Sequence, residues 1–294
     1  MLYDIRLEIT YRYAQPAGAS RSILRMMPLS SAEQVPVTGL LDTAPGPEFR
    51  QDGRDFFGNA MTEVAHPGAL TEIAFRYAGR VRRVAAPREM DLSCPHDRLD
   101  EELTEVQDLG PTAPHHFVGA SERVRPEPEI AAFARDAASG APSVVAAVEA
   151  VSHALHAEIA FDPTATDVTT DPLEAFRARR GVCQDMSHIL IAGLRSIGIP
   201  AGYVSGFLRT IPPKGQERLE GADAMHAWTR AWCGHEAGWI EIDPTNDMRA
   251  RADHIAVAVG RDYADVAPVK GALRSSGAQE TDQRVDVIPV DAAP

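Results

Sequence analysis

The sequence predicts an α+β protein, with a β-sandwich-like domain at the N-terminus and a second domain in which a helix packs on an antiparallel sheet. Short segments that alternate apolar and polar residues dominate up to about residue 110, and helical periodicity first appears near residue 125. Strand-like segments return after residue 200, so helices precede antiparallel strands and do not alternate with parallel ones. We therefore expect an N-terminal β domain at 1–110 and a second domain at 111–294.

Composition excludes several classes of partner. The 294 residues carry a formal net charge of −13, which disfavours nucleic acid and anionic membrane surfaces. The first residues, "MLYDIRLEITYRY", contain charges where a signal peptide would be apolar, and no segment reaches the roughly 18 apolar residues of a membrane span. Three widely spaced cysteines, Cys94, Cys183 and Cys233, form neither a disulfide framework nor a CxxC pair. We expect a cytoplasmic protein without nucleic-acid or membrane partners.

The first domain begins with a strongly strand-like segment. Aromatic or aliphatic residues occupy the odd positions from Tyr3 to Tyr13, and polar or charged residues the even positions from Asp4 to Arg12. Further strands are predicted in "SILRMMPL", "VPVTGLL", "NAMTEVAH" and "LTEIAFRYAGRVRRV". The stretch 95–128, rich in Pro, His and acidic residues, is typical of a linker.

The second domain begins with helices, predicted in "PEIAAFARDAA", "SVVAAVEAVSHALHAEIAF" and "DPLEAFRARR". The last of these has a strong start, with Asp171 as N-cap and Pro172 at the first helical position. A further helix follows in "CQDMSHILIAGLRSIG", where apolar residues recur with a helical period until Gly198 and Pro200 end it. One face of this helix is apolar, so we expect it to lie at the centre of the domain.

Cys183 opens that helix and has two possible roles. A lone cysteine is often a small buried apolar residue, but the N-terminus of a helix also stabilises a thiolate. The same unpaired N–H groups could stabilise an oxyanion on an attacked carbonyl, and the Cys183 amide is one such donor. A nucleophilic cysteine further requires a histidine, itself oriented by a carboxylate or amide.

A predicted hairpin supplies both partners. The segments "MHAWTRAWC" and "WIEID" flank the turn-like "CGHEAG", so they should pair as antiparallel strands. If Trp232 lies across from Trp239, His226 and Asp243 are close on one face, and a tighter turn would place them directly opposite. Pro244 should end the second strand at the rim of the sheet. Either register predicts a His226–Asp243 pair.

Several of these segments also resemble a known family. "RRGVCQDMSHILIAGLRSIGIPAGYVSGFL", "DAMHAWTRAW" and "GWIEIDPTND" are similar to the core of the bacterial transglutaminase-like superfamily. "YDIRLEITYRY" resembles the β domain that precedes such cores, and "HIAVAVGRDYADVAPVKG" the family's C-terminal signature. The resemblance implies a papain-like fold whose catalytic triad falls on Cys183, His226 and Asp243. One position departs from it: Gly202 stands where the family typically has Arg, which could alter an ion pair or the substrate groove.

The resemblance implies a cysteine enzyme that acts on amide or isopeptide bonds of a peptide or protein substrate through a thioester, without metal or cofactor. A protease or amidase is favoured. The alternatives are an amine acyltransferase and a non-catalytic peptide-binding module. The segment "RTIPPKGQERLEGAD" is the expected lid.

Other residues have a structural and a functional interpretation. Beside Cys183, we consider Gln184, Asp185 and His188 as supports of the helix or as part of the site. Trp228 and Trp239 are either packing residues of the sheet or a wall for substrate. Arg261, Asp262 and Tyr263 form either an ion-paired turn or a flank of the active site. Cys94 and Cys233 are expected to be structural, the pair His115–His116 to be incidental, and His153 with His156 not to form a metal site, because no third ligand is near.

Overall fold

The computed structural model of the chain describes residues 1–84, 90–210, 221, 223–273 and 278–290. The strands are β1 (Leu2–Ala17), β2 (Ser20–Leu24), β3 (Gln34–Ala44), β4 (Phe49–Arg54), β5 (Ala60–His66), β6 (Leu70–Arg83), β7 (Ala160–Phe161), β8 (Arg180–Gly181), β9 (Ala201–Leu208), β10 (Ala224–Trp232), β11 (Trp239–Asp243), β12 (Met248–Arg249), β13 (His254–Gly260), β14 (Val269–Leu273) and β15 (Gln279–Val290). The helices are α1 (Leu99–Glu105), α2 (Pro128–Ala137), α3 (Val144–Glu158), α4 (Pro172–Ala178), α5 (Cys183–Ser196) and α6 (Tyr263–Val266). Most of the expected lid, residues 211–220 and 222, lies outside the described residues.

Two four-stranded antiparallel sheets form the β domain, in the orders β15-β1-β6-β3 and β14-β2-β5-β4. The predicted alternation of β1 is observed from Tyr3 to Ile9, where the odd positions are buried and Arg6 is exposed. Leu24 and Val64 of the second sheet belong to the same apolar core as these residues of the first. The sandwich-like arrangement is thus confirmed.

The last two strands of the chain return to this domain. β14 pairs with β2, and β15 runs along β1 from Leu2↔Val290 to Tyr13↔Gln279. A division at residues 1–110 and 111–294 therefore separates strands that share sheets, and in this respect the expected boundary is wrong. The sequence pattern does not predict β15, because many of its residues are charged. It does not predict β4 either, because all six residues of that strand are exposed.

The stretch 95–128 is more ordered than a linker. It contains α1 and a 3-10 turn at Pro114–Phe117, whose Phe117 is fully buried. The side chains of His115 and His116 are hydrogen-bonded to the carbonyls of Val106 and Leu109 at 2.8 and 3.1 Å. Through these hydrogen bonds the two histidines stabilise the conformation of their own segment, a structural role that the sequence pattern does not show.

The second domain places α5 on a five-stranded antiparallel sheet with the order β12-β11-β10-β9-β13. Every residue of α5 from Gln184 to Leu194 is buried, because α2, α3 and α4 cover the faces that the sheet leaves. A Cβ at Gly193 would lie 3.1 Å from Cβ of Ala134, so the glycine allows α2 to approach α5 closely. The predicted central helix is confirmed, and Gly198, with φ of +84°, follows its end.

Candidate active site

Cys183 is the first residue of α5, directly after the extended residue Val182. The side chain of the buried Asp185 caps the N-terminus of α5. Its Oδ2 accepts hydrogen bonds from the Val182 amide at 2.8 Å and from the Thr166 hydroxyl at 2.6 Å. Burial raises the pKa of Asp185, whereas these two hydrogen bonds act to lower it. A Cβ at Gly181 would lie 2.7 Å from the same oxygen. Cys183 is therefore fixed, partly exposed, among the unpaired N–H groups of a first helical turn.

The hairpin of β10 and β11 adopts the first of the two expected registers, with Trp232 across from Trp239. His226 and Asp243 are consequently diagonal neighbours on one face, and Nε2 of His226 lies 2.7 Å from Oδ2 of Asp243. The strand ends at Asp243, before Pro244, as predicted. Asp243 is fully buried.

The His226 ring also hydrogen-bonds the Cys183 side chain. Since Nε2 points to Asp243, Nδ1 is the atom left for the thiol. Burial by itself would lower the pKa of His226, but the hydrogen bonds to Asp243 and Cys183 and their charges raise it to about 10. The structure thus brings Cys183, His226 and Asp243 into one chain of contacts that favours the charged form of the His226 imidazole.

Asp243 accepts several hydrogen bonds besides the one from His226. Its Oδ2 also accepts from Nε2 of His254 at 3.0 Å and from the Asn246 side chain at 2.7 Å, and its Oδ1 from the amides of Thr245 and Asn246. Burial would raise the pKa of this carboxyl, but the bonds from the two histidines and Asn246 lower it well below its usual range. Asp243 is therefore held as a carboxylate.

His254 is a site residue that the sequence reasoning missed. It is fully buried, and its Nδ1 accepts the Arg251 amide at 3.2 Å, so the neutral ring carries its proton on Nε2 and donates it to Asp243. It stands within the segment "HIAVAVGRDYADVAPVKG", but its neighbourhood depends on β13 and β10 flanking β9. No local pattern in the sequence encodes that order.

Donor atoms of His226, Asp243 and His254 lie within 4.8 Å of one another, a spacing that a metal ion could use. The donor set does not fit one. Nε2 of His254 bears a proton and has no lone pair to offer, and Oδ2 of Asp243 already accepts from both rings. The three residues form a hydrogen-bonded chain.

The residues next to Cys183 on α5 support the helix. His188 is almost fully buried, and this burial lowers its pKa to about 4; its Nε2 accepts the Tyr263 amide at 3.2 Å. The Gln184 side chain donates to the carbonyl of Val168 at 3.3 Å. His188 is thus a satisfied, neutral histidine that joins α5 to α6.

The two tryptophans are packing residues. Trp228 is fully buried and donates through Nε1 to Glu241 at 2.8 Å, with its ring beside those of His226 and His254. It cannot form the wall of an open groove, but it encloses the two imidazoles. Trp239 donates to the carbonyl of Thr112, and its ring is stacked against a neighbouring guanidinium.

The segment from Arg261 to Asp265 has the geometry of an ion-paired turn. Arg261 donates through Nε and Nη2 to Asp265 at 2.8 and 3.0 Å, and Asp262 accepts the amides of Ala264 and Arg123. Tyr263 packs near Tyr203 of β9, with the two ring centroids 6.2 Å apart.

At Gly202 the structure explains the missing arginine. A Cβ there would lie 2.8 Å from the Phe117 ring and 2.8 Å from the carbonyl of Gly260, so no side chain fits. The neighbouring strand places Arg230 directly across from Gly202, with its guanidinium 4.9 Å from the centre of the Phe117 ring. A cation is still present, but it comes from β10.

The other cysteines differ from Cys183. Burial, followed by the nearby Glu102, raises the pKa of Cys94 to about 11, and burial raises that of the Cys233 thiol further. Both therefore retain their protons at neutral pH, as expected for structural thiols. His153 and His156 bind the Asp247 carboxylate and the Pro244 carbonyl, respectively.

Comparisons with known proteins agree with this architecture. The description "Transglutaminase-like superfamily" matches residues 131–244, and "Bacterial transglutaminase-like N-terminal region" matches residues 3–82. An uncharacterized protein of Mycobacterium tuberculosis is 31% identical over 98% of this chain and 93% of its own length. One of Mycobacterium leprae is 32% identical over 94% of this chain and 95% of its own.

A solved structure shows the same fold. The crystal structure of a proposed cysteine protease from Cytophaga hutchinsonii superimposes with a TM-score of 0.74, covering 100% of this chain and 93% of that one at 20% identity. Among the described residues, no helix combines the length and apolar character needed to cross a membrane. The matches to both domains and the relatives along nearly the whole chain show that this protein belongs to the transglutaminase-like superfamily.

Proposed function

We propose that the protein is a cysteine enzyme that hydrolyses amide or isopeptide bonds in a peptide or protein substrate, with Cys183 as nucleophile, His226 as acid and base, and Asp243 as its partner. One observation carries the proposal: His226 lies between a carboxylate held in its charged form and a thiol at the start of a helix. This is the arrangement that activates a cysteine nucleophile.

The reaction takes place in two steps. The Cys183 thiolate attacks the carbonyl carbon and forms a C–S bond; as the C–N bond breaks, His226 gives its Nδ1 proton to the departing amine. The product is a thioester on Cys183. His226 then takes a proton from a water molecule, whose oxygen attacks the thioester carbonyl. The C–S bond breaks as the new C–O bond forms, which releases the acid and leaves the Cys183 thiolate beside the protonated His226. Asp243 keeps the ring oriented and stabilises its charged form throughout.

Two donors can stabilise the oxyanion of the tetrahedral intermediate. The Cys183 amide has no partner within α5 because it belongs to the first helical turn. The Tyr203 hydroxyl is the second: burial and then the charge on Cys183 raise the pKa of Tyr203, so the group stays protonated beside the thiol. Tyr203 lies on β9, and its ring packs between those of His188 and Tyr263.

Selective alkylation tests the nucleophile. Iodoacetamide near neutral pH should label Cys183 faster than it labels a free thiol, and peptide mass spectrometry should show little label on Cys94 or Cys233. His226→Ala should abolish the advantage. Labelling of Cys183 at the rate of a free cysteine would instead favour a non-catalytic peptide-binding module.

Product mass then separates hydrolysis from acyl transfer. A substrate-profiling peptide library is incubated with and without a primary amine, and Cys183→Ala is the matched control. Hydrolysis leaves a free acid in both samples, whereas transfer to an amine gives an amide only when the amine is present. We expect the acid, consistent with the description of the Cytophaga protein as a protease.

A further inference from the structure

A second cleft lies between the two domains, apart from Cys183, His226 and Asp243. It encloses about 550 Å³, which is the size of a small-molecule site. The β domain contributes Arg25, which follows β2, Lys270 of β14, and the turn between β4 and β5; the second domain contributes the 3-10 turn and the segment around α6. Its charged and aromatic lining includes Arg25, Asp55, Phe56, His116, Arg261 and Lys270.

Both carboxylates in this cleft are committed to partners of their own. Asp55 accepts four hydrogen bonds: from Nε of Arg25 at 2.7 Å, from the Asn59 side chain at 2.9 Å and from the amides of Phe57 and Asn59. Asp265 accepts three from Arg261, through its amide, Nε and Nη2. The two carboxylates therefore have little capacity left for the remaining donors of the cleft.

Those remaining donors are cationic. Arg25 is about nine-tenths buried, and its Nη1 has no hydrogen-bond partner among the residues that the structure describes. A buried guanidinium nitrogen without an acceptor is unfavourable, so something else is expected to satisfy it. The exposed Lys270 donates to the carbonyl of Ala264 at 3.0 Å, which uses one of its three protons. Among the described residues that line the cleft, three permanent cations thus stand beside two carboxylates, in a protein of net charge −13.

The charged pairs do not serve to tie the domains together. Arg25 pairs with Asp55 of its own domain, and Arg261 with Asp265 of its own. Both ion pairs line the cleft, and neither of them spans it from one domain to the other. The Phe56 ring, more than half exposed and 5.0 Å from the His116 ring, gives the mouth an apolar edge.

We infer that this cleft binds an oxyanion, the carboxylate or phosphate of a small molecule, between Arg25 and Lys270. Such a group would accept from the Lys270 ammonium, would lie against the Arg25 guanidinium that lines the cleft, and would balance the excess positive charge. The site is separate from the proposed hydrolytic chemistry and does not depend on it.

Isothermal titration of the full chain with inorganic phosphate and, separately, with succinate tests the inference and distinguishes the two sources. Ionic strength is held constant with sodium chloride. We expect saturable 1:1 binding of at least one anion, and a melting temperature that rises with its concentration. If neither anion binds, and neither raises the melting temperature beyond sodium chloride at equal ionic strength, the inference is wrong.

Two variants locate the site. Lys270→Gln removes an exposed cation and should weaken binding about tenfold, while Arg12→Gln, which removes an exposed, ion-paired cation elsewhere on the β domain, should leave it unchanged. Arg25→Lys keeps the charge but loses the second nitrogen of the fork, so it should also weaken binding at a temperature where circular dichroism shows the variant folded. Equal affinities in wild type and Lys270→Gln would place the anion elsewhere and overturn the assignment.

Discussion

Oδ2 of Asp243 accepts a hydrogen bond from Nε2 of His254 at 3.0 Å, on the same oxygen that faces His226 at 2.7 Å. The Arg251 amide fixes the tautomer of His254, so this ring can only donate to the carboxylate. These hydrogen bonds orient the buried Asp243 carboxylate and stabilise its charge in place of water. We regard His254 as a positioning residue for Asp243.

Replacement of His254 should therefore slow the reaction without abolishing it. A hydrogen bond to a charged group contributes about 1.5–3 kcal/mol, so we expect His254→Ala to lower kcat roughly ten- to hundredfold with little change in KM. His254→Asn, which retains a donor, should recover part of the loss. His153→Ala, at an exposed histidine, is the control. An unchanged kcat and pH profile in a folded His254→Ala protein would show that His254 does not position Asp243 for catalysis.

Asp243→Asn should be far more damaging than any change at His254. The amide carries no charge to stabilise the imidazolium and can present the wrong group to Nε2, so kcat should fall by about 10⁴, as is typical when the acid of a triad is replaced. Iodoacetamide labelling of Cys183 provides a measurement that requires no substrate, and its rate should fall to that of an ordinary thiol. Retention of rapid labelling would show that His226 alone activates the cysteine.

The stability of the fold should depend on pH through His226. Its pKa is raised from 6.5 to about 10, so its favourable contribution is fully present below 6.5 and is lost as the pH rises through about 10. The pKa of Asp243 is lowered, so its contribution is present above 3.8 and is lost as the pH falls below that value. Urea unfolding should therefore show a gap between wild type and His226→Ala that is larger at pH 6 than at pH 10. A gap that does not change over this range would contradict the raised pKa.

Gly181→Ala should disturb the start of α5. The new methyl group would lie 2.7 Å from Oδ2 of Asp185, the atom that accepts the Val182 amide, so the cap must shift. We expect a loss of about 1–2 kcal/mol in the free energy of unfolding and slower labelling of Cys183. Gly119→Ala is a matched control, because a Cβ there would have no atom of the described residues within 4 Å. Equal effects of the two substitutions would refute the role given to the cap.

Tyr203→Phe tests the second oxyanion donor. The change removes only a hydroxyl, and loss of one such donor costs about a hundredfold in kcat in related chemistry. Substrate affinity and the labelling rate of Cys183 should change little, because the donor acts on the intermediate. A normal kcat in Tyr203→Phe would contradict the role given to the hydroxyl and would leave the Cys183 amide as the other proposed donor.

Much of the site follows from local sequence. The alternation in "MHAWTRAWC" and "WIEID" places His226 and Asp243 on one face in both of the expected registers, and the apolar period after Cys183 predicts α5. These features are short in range, because side-chain direction in a strand or helix is set by residues a few positions away. The observed register only selected between the two expected arrangements.

The sequence by itself therefore determined the class of the two domains, the start of α5 at Cys183 and the His226–Asp243 pair. Only the tertiary structure decided that β15 joins β1, that His254 reaches Asp243 from β13, and that β14 pairs with β2 and places Lys270 in the same cleft as Arg25. The physical reason is that sheet order and domain packing depend on contacts between residues far apart in the chain. Periodicity tells which face of a segment is buried, but it does not tell which other segment covers that face.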